Sequence, residues 1–388
     1  MAEYGEANSV PLIPRANISK SKNNENLSFF NIDIFNQNKT SSLRVPLKVK
    51  LIFFRQLSVI LKSGVPLSQG LDLLSENITN KPFAVCIKDI SSDLGSGVDL
   101  STALLKYSRV FDPIIVGLIE AGEAGGILSD VLERIAGLLE SQSKLKGQIT
   151  GALIYPVILL VLALTVSLGL LIFIVPTFED LFKGLGAELP GLTQFMLDLS
   201  RLVTSPQFFL VSPISVFILV YLYNIYYSSK NGKLFIDTFL LRIPLFGDLI
   251  LRSELASFSD TLSTLINSGL PITDSLEKCI LSSNNQLIKN SIKRSITLVK
   301  EGQLLSYSFS SSNFVPKLFV SMLKIGEETG ELSFMVENLS NFYKREVDET
   351  VSALTKAMEP AVIFVVAAIV GTIVVALYLP MFSLLEKI

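Results

Sequence analysis

GEAGGIL at 122–128 and GEETGEL at 326–332 are one phrase written twice, and the repetition decides how the rest of the chain is read. Upstream, Phe53, Leu57, Gly64, Pro66, Leu67 and Leu71 fall in order on Phe258, Leu262, Gly269, Pro271, Ile272 and Leu276. After one residue of slippage, Gly122, Glu123 and Gly126 meet Gly326, Glu327 and Gly330, and Pro156 meets Pro360. A unit at about 50–178 therefore recurs at about 255–382. Past each phrase the apolar positions are 128, 131, 132, 135, 138, 139 and 332, 335, 336, 339, 342, 343. That is the stripe of an amphipathic helix, not the alternation of a strand. Gly64 and Gly269 suit left-handed helix stops, with Pro66 and Pro271 opening the next helix. Gly122 and Gly326 likewise predict a helix stop and a short turn. Each copy reads as a small antiparallel helix bundle.

Composition adds a membrane. The chain has 388 residues, 49% hydrophobic and 18% charged, with a mean hydropathy of +0.51. The stretches 147–178, 202–229 and 360–385 hold no Asp, Glu, Lys or Arg. Each is long enough for one bilayer-spanning helix, which needs about 20 apolar residues. The fold class is thus an all-α membrane protein with two duplicated helical bundles and three transmembrane helices. Lys and Arg crowd positions 1–146 and 230–359 but are sparse in 179–207, where Lys183 and Arg201 stand alone. The positive-inside rule then puts the N-terminus and both repeat domains in the cytoplasm. Cys86 and Cys279 fall on that reducing side and read as free thiols. No cleavable signal pattern precedes the first span, and the Asn-rich start reads as a mobile tail.

The glutamates invite a catalytic reading that the rest of the sequence does not support. The chain has no histidine, which removes the commonest general base and the HExxH metal site. Glu327 and Glu328 are neighbours whose side chains diverge, and copy one lacks the counterpart of Glu328. No Walker lysine loop is present, the net charge is −2, and no basic block marks a nucleic-acid footprint. The expectation is no catalytic residue, no cofactor, no metal and no nucleic acid. GExxG reads instead as a helix–turn–helix elbow, with Gly lending backbone freedom and Glu favouring the positive start of the following helix. The same acidic turn can serve as a partner contact. The spans carry no charge, which argues against a coupled small-solute transporter. Glu359, before Pro360, reads as interfacial or as a contact for another membrane helix. Ala163 with Ser167, and Ala367 with Gly371, are small residues four apart and predict close helix packing within the bilayer.

A duplicated unit carrying SG(V/L)P(L/I), then GExxG, then a Pro-marked membrane helix resembles the inner-membrane platform proteins of type IV pilus and type II secretion machines, the PilC/GspF family. IPLFGDLI (243–250) and GLGAELPGLTQFML (184–197) are similar to that family's linker and loop, the latter closer to the pilus branch. The resemblance implies bundles of about six helices, no enzymatic activity and a place at the base of a pilus. Implied partners are a hexameric assembly ATPase, with a retraction ATPase using the same seat, pilin subunits, inner-membrane alignment proteins and further copies of the chain. A type II secretion platform is the alternative of the same class. The chain then divides into a mobile polar tail (1–48), a cytoplasmic bundle (49–148), a membrane helix (149–176) and a short periplasmic amphipathic loop (177–207). A second membrane helix (208–228), the second bundle (229–357), a third membrane helix (358–383) and a periplasmic C-terminus (384–388) complete it.

Overall fold

The computed structural model describes residues 44–178 and 190–385, all helix and connection with no strand among them. The tail expected at 1–48 lies outside these residues except for 44–48, and Leu47 already opens the first helix. Positions 179–189 of the loop and the last residues, 386–388, also lie outside.

The first copy is six helices: α1 Leu47–Lys62, α2 Leu67–Asn77, α3 Lys81–Gly95, α4 Leu100–Leu105, α5 Pro113–Gly125 and α6 Leu128–Gly169. Then follow α7 Gly191–Thr204, α8 Pro206–Ser228 and α9 Lys230–Arg242. The second copy repeats the six as α10 Phe246–Asn267, α11 Ile272–Ser282, α12 Gln286–Lys300, α13 Leu305–Ser310, α14 Lys317–Thr329 and α15 Leu332–Leu385. The boundaries follow local chemistry. Asn80 accepts from the Phe83 amide at 3.1 Å to start α3, and Asn285 does the same for α12 through Leu287 and Ile288. These are N-caps that satisfy amides with no partner inside the helix. Gly64 and Gly269 close α1 and α10 at φ of 85° and 88°, and Pro66 and Pro271 stand just before α2 and α11.

Both copies bury a cluster of aromatic rings, with the rings at different positions. In the first, Phe53, Phe54, Phe83 and Phe111 meet edge-on or tilted. In the second, Phe258 is kept, but it meets Phe309 and Phe319, and Phe319 in turn meets Tyr343, all on other helices. The counterpart of Phe54 is Ser259, fully buried and without a hydrogen-bond partner. The ring positions therefore differ between the two copies. The two cores join into one, because α6 lies along α15 and α10, and α5 meets α11.

Among the described residues, three helices are long and apolar enough to cross a membrane: Leu128–Phe178, Pro206–Ser228 and Leu332–Leu379. The first and third are continuous with the last helix of each bundle. Pro156 and Pro360 ride inside them and do not end them. A five-residue π-helical segment, Leu170–Ile174, follows α6. In it the Val175 amide bonds to Leu170, and Pro176, next in line, has no N–H to offer. The Leu171 carbonyl is satisfied from elsewhere, by the hydroxyl of buried Ser200 on α7 at 2.5 Å. Thr193 donates in the same way to Ala376 of α15 at 2.6 Å. So α7 crosses and ties both long helices, burying Met196 and Leu197 against Leu171, Val175, Ile373 and Ala376.

Candidate functional site: the paired elbows

The two GExxG phrases form the same joint, built differently from the sequence expectation. Helices α5 and α14 do not stop at Gly122 and Gly326. They run on to Gly125 and Thr329, and the left-handed stop is the last glycine, Gly126 at φ 65° and Gly330 at φ 74°. The first glycine is a packing position. A Cβ on Gly122 would sit 3.0 Å from Val131 of α6, and one on Gly326 would sit 3.0 Å from Leu332 and Met335 of α15. A side chain there would force the two helices of the elbow to give way where they meet.

The glutamate points away from the helix it was expected to serve. Glu123 accepts from the Leu100 and Ser101 amides at 2.6 and 3.2 Å, and Glu327 from the Leu305 and Ser306 amides at 2.5 and 3.0 Å. Those are the first two residues of α4 and α13, short helices whose own flanking residues, Asp99 and Leu304, make no side-chain cap. A carboxylate supplied from a distant helix therefore caps a six-residue helix that could not hold itself. Spacing alone could not reveal this, because the partners lie 21 to 23 residues upstream.

Glu328 is exposed and paired with Lys324 at 3.6 Å, one turn back on its own helix. No cluster of three or more His, Cys, Asp or Glu suited to a metal occurs among the described residues. Glu359 is exposed at its place in α15. The small-residue pairs part company. Ala163 and Ser167 are buried, whereas Ala367 and Gly371 are exposed, with open space where a Gly371 Cβ would stand.

The seam between bundles carries residues that sequence reasoning missed. Lys344 of α15 reaches Ser141 of α6 at 2.8 Å and Asp260 of α10 at 2.5 Å. Lys278 of α11 lies across Gly117 of α5, where any side chain would collide with it. Glu254 accepts from the Asn284 amide at 3.1 Å, and burial holds its carboxyl above the usual range. Burial likewise pushes the Cys86 thiol up to about 12 and raises that of Cys279 further. Both thiols are inert core side chains, not reactive ones.

Comparison with known proteins supplies the remaining finding. The family model described as "Type II secretion system (T2SS), protein F" matches twice, at 53–176 and 258–380. The chain is 37% identical to "Type IV pilus assembly protein PilC" of Thermus thermophilus, over 87% of this chain and 83% of that protein. It is 33% identical to "Type IV pilus assembly protein PilC" of Pseudomonas aeruginosa, over 86% of this chain and 89% of that one. To "Type II secretion system protein F" of Xanthomonas campestris the identity is 29%, over 91% and 88%.

Proposed function

Because the chain belongs to the type II secretion system protein F family, we propose that it is the inner-membrane platform of a type IV pilus assembly machine. In this reading it couples a cytoplasmic assembly ATPase to the insertion of pilin subunits into a growing fibre. The observation that carries the proposal is mechanical. Each elbow leads without interruption into a helix that enters the membrane, 42 residues long in α6 and 54 in α15. A displacement imposed on a bundle is carried into the bilayer by a rigid rod, and α7 ties the two rods together at the far end.

The preference for pilus over secretion rests on the pilus-named relatives at 32–37% identity against 28–29% for those named secretion protein F. Glu327 is fully engaged with α13, so a docking role for the acidic turn passes to exposed Glu328 and Glu331. The decisive experiment is deletion of the gene, with complementation, followed by electron microscopy of surface fibres and assay of secreted proteins. Loss of fibres with secretion intact supports the proposal. Intact fibres with secreted proteins trapped inside the cell would replace it with the secretion platform. Affinity purification in mild detergent should recover a hexameric ATPase and pilins.

A further inference from the structure

The two bundles of one chain meet through unlike faces. Helix α5 of the first lies on α11 of the second, with Lys278 stretched over Gly117, and α6 lies beside α10. The reverse pairings, α14 on α2 and α15 on α1, make no comparable contact among the described residues. A two-fold relation between the repeats would have produced both, so the junction is head to tail. It also keeps the two long helices level. Lys344 is the counterpart of Glu140 and meets Ser141 at 2.8 Å, one residue away in the register of the repeat. The operation relating the bundles is therefore mainly a turn about an axis that runs with the long helices.

A head-to-tail junction between repeats leaves one half of itself unused on each bundle. On the second bundle the unused half is a face of α14. Ile114 and Gly117 are buried on α5, whereas their counterparts Leu318 and Ser321 are exposed, with Ile325 one turn further on. On the first bundle it is the outer face of α2, where Leu73 stands in the place of Lys278. Leu318 and Ile325 are each 45% exposed and Leu73 46%. Carried over to two chains residue by residue, the internal junction sets Leu73 of one copy on Ser321 of the other, between Leu318 and Ile325.

Charge completes the match. The pair Ser141 and Lys344 becomes Arg345 and Glu140, which attract. Leu145 and Ser253, which line one cleft at the seam, become Glu349 and Lys48, which attract as well. All four charged residues are exposed. Arg345, Glu349 and Lys48 have no ion-pair partner among the described residues.

We propose that copies of the chain join head to tail through these faces, α14 and α15 of one on α1, α2 and α6 of the next. The contact repeats between chains the junction that each chain makes between its own bundles. Because the long helices stay level, successive copies turn within the membrane plane, an arrangement that can close into a ring. The inference is indifferent to which machine the chain serves.

Cys86 and Cys279 are buried, so an introduced exposed cysteine is a selective handle in the full-length protein. Leu73→Cys and Ser321→Cys chains with different tags are co-expressed, purified in mild detergent and treated with a short bismaleimide. The mixture should give a crosslinked dimer holding both tags, and either variant alone should give about tenfold less. Arg345→Glu alone and Glu140→Arg alone should each weaken self-association about tenfold by light scattering, because like charges then meet. A mixture of those two variants should assemble as wild type does, since every junction in it can pair Glu with Arg. Three results overturn the proposal. Self-crosslinking of either cysteine variant at the level of the mixture would mean a two-fold junction. Absence of the two-tag dimer would mean that these faces serve another partner. Failure of the mixed charge variants to assemble, when each unfolds thermally as wild type does, would remove the charge match.

Discussion

At the scale of single residues, the elbow assigns a separate task to each letter of its phrase. Glu327 holds two amides of α13, so Glu327→Gln should cost about 1–2 kcal/mol, because the amide keeps one acceptor oxygen and turns an NH2 toward an N–H. Glu328→Gln breaks only an exposed one-turn pair and should cost under about 0.5 kcal/mol. Thermal unfolding of the purified protein in detergent separates the two, and equal shifts would refute the capping assignment. Gly330→Val meets a left-handed φ of 74°, where a β-branched residue is strongly disfavoured, and should lower stability by about 1–3 kcal/mol in the same assay. Cys86 and Cys279 are buried with raised thiols. The native state therefore holds these protons more tightly than the unfolded chain does. Stability should fall as pH rises from 9.0 toward about 12 for Cys86, and neutral maleimide should label neither thiol until the protein unfolds.

At the scale of elements, sequence symmetry does not survive as packing symmetry. The repeat pairs Ala163 and Ser167 with Ala367 and Gly371, yet only the first pair is buried. Ala163→Leu overpacks a filled contact and should cost about 1–3 kcal/mol. Ala367→Leu enters open space and should leave the isolated protomer unchanged, so any effect it has on oligomer size, read by light scattering, reports a neighbour outside the protomer. The π segment is a second asymmetry. Pro380, the repeat counterpart of Pro176, lies in unbroken α-helix, and only in the first copy does a distant serine on α7 take up the Leu171 carbonyl.

At the scale of the whole molecule, the bundles are coupled by a few polar contacts set into a continuous core. Lys344 is the clearest, with its side chain 26% exposed and that of Asp260 15%. Lys344→Met strands Asp260 with only the Ser340 hydroxyl and should destabilise by about 1–3 kcal/mol. Protease should then cut between the bundles faster than wild type, and an unchanged digestion pattern would argue that apolar packing alone joins them. Orientation needs its own test, since the native thiols cannot report it. A cysteine at exposed Leu318 should resist impermeant maleimide in spheroplasts, and one at Gly186 should react.

The sequence by itself determined the helical class, the duplication and the three spans, because each is a periodicity or a run that local physics enforces. It also carried the family, through a phrase too specific in duplicate to be chance. The identity of the elbow residues was legible as well, but their roles were not. Only the tertiary structure decided that Glu123 and Glu327 cap helices more than twenty residues upstream, that Gly122 and Gly326 are contact points inside a helix, and that Lys344 spans the seam. The reason is common to all three. A side chain's partner is set by which surfaces meet after the helices pack, and periodicity along the chain carries no record of that meeting.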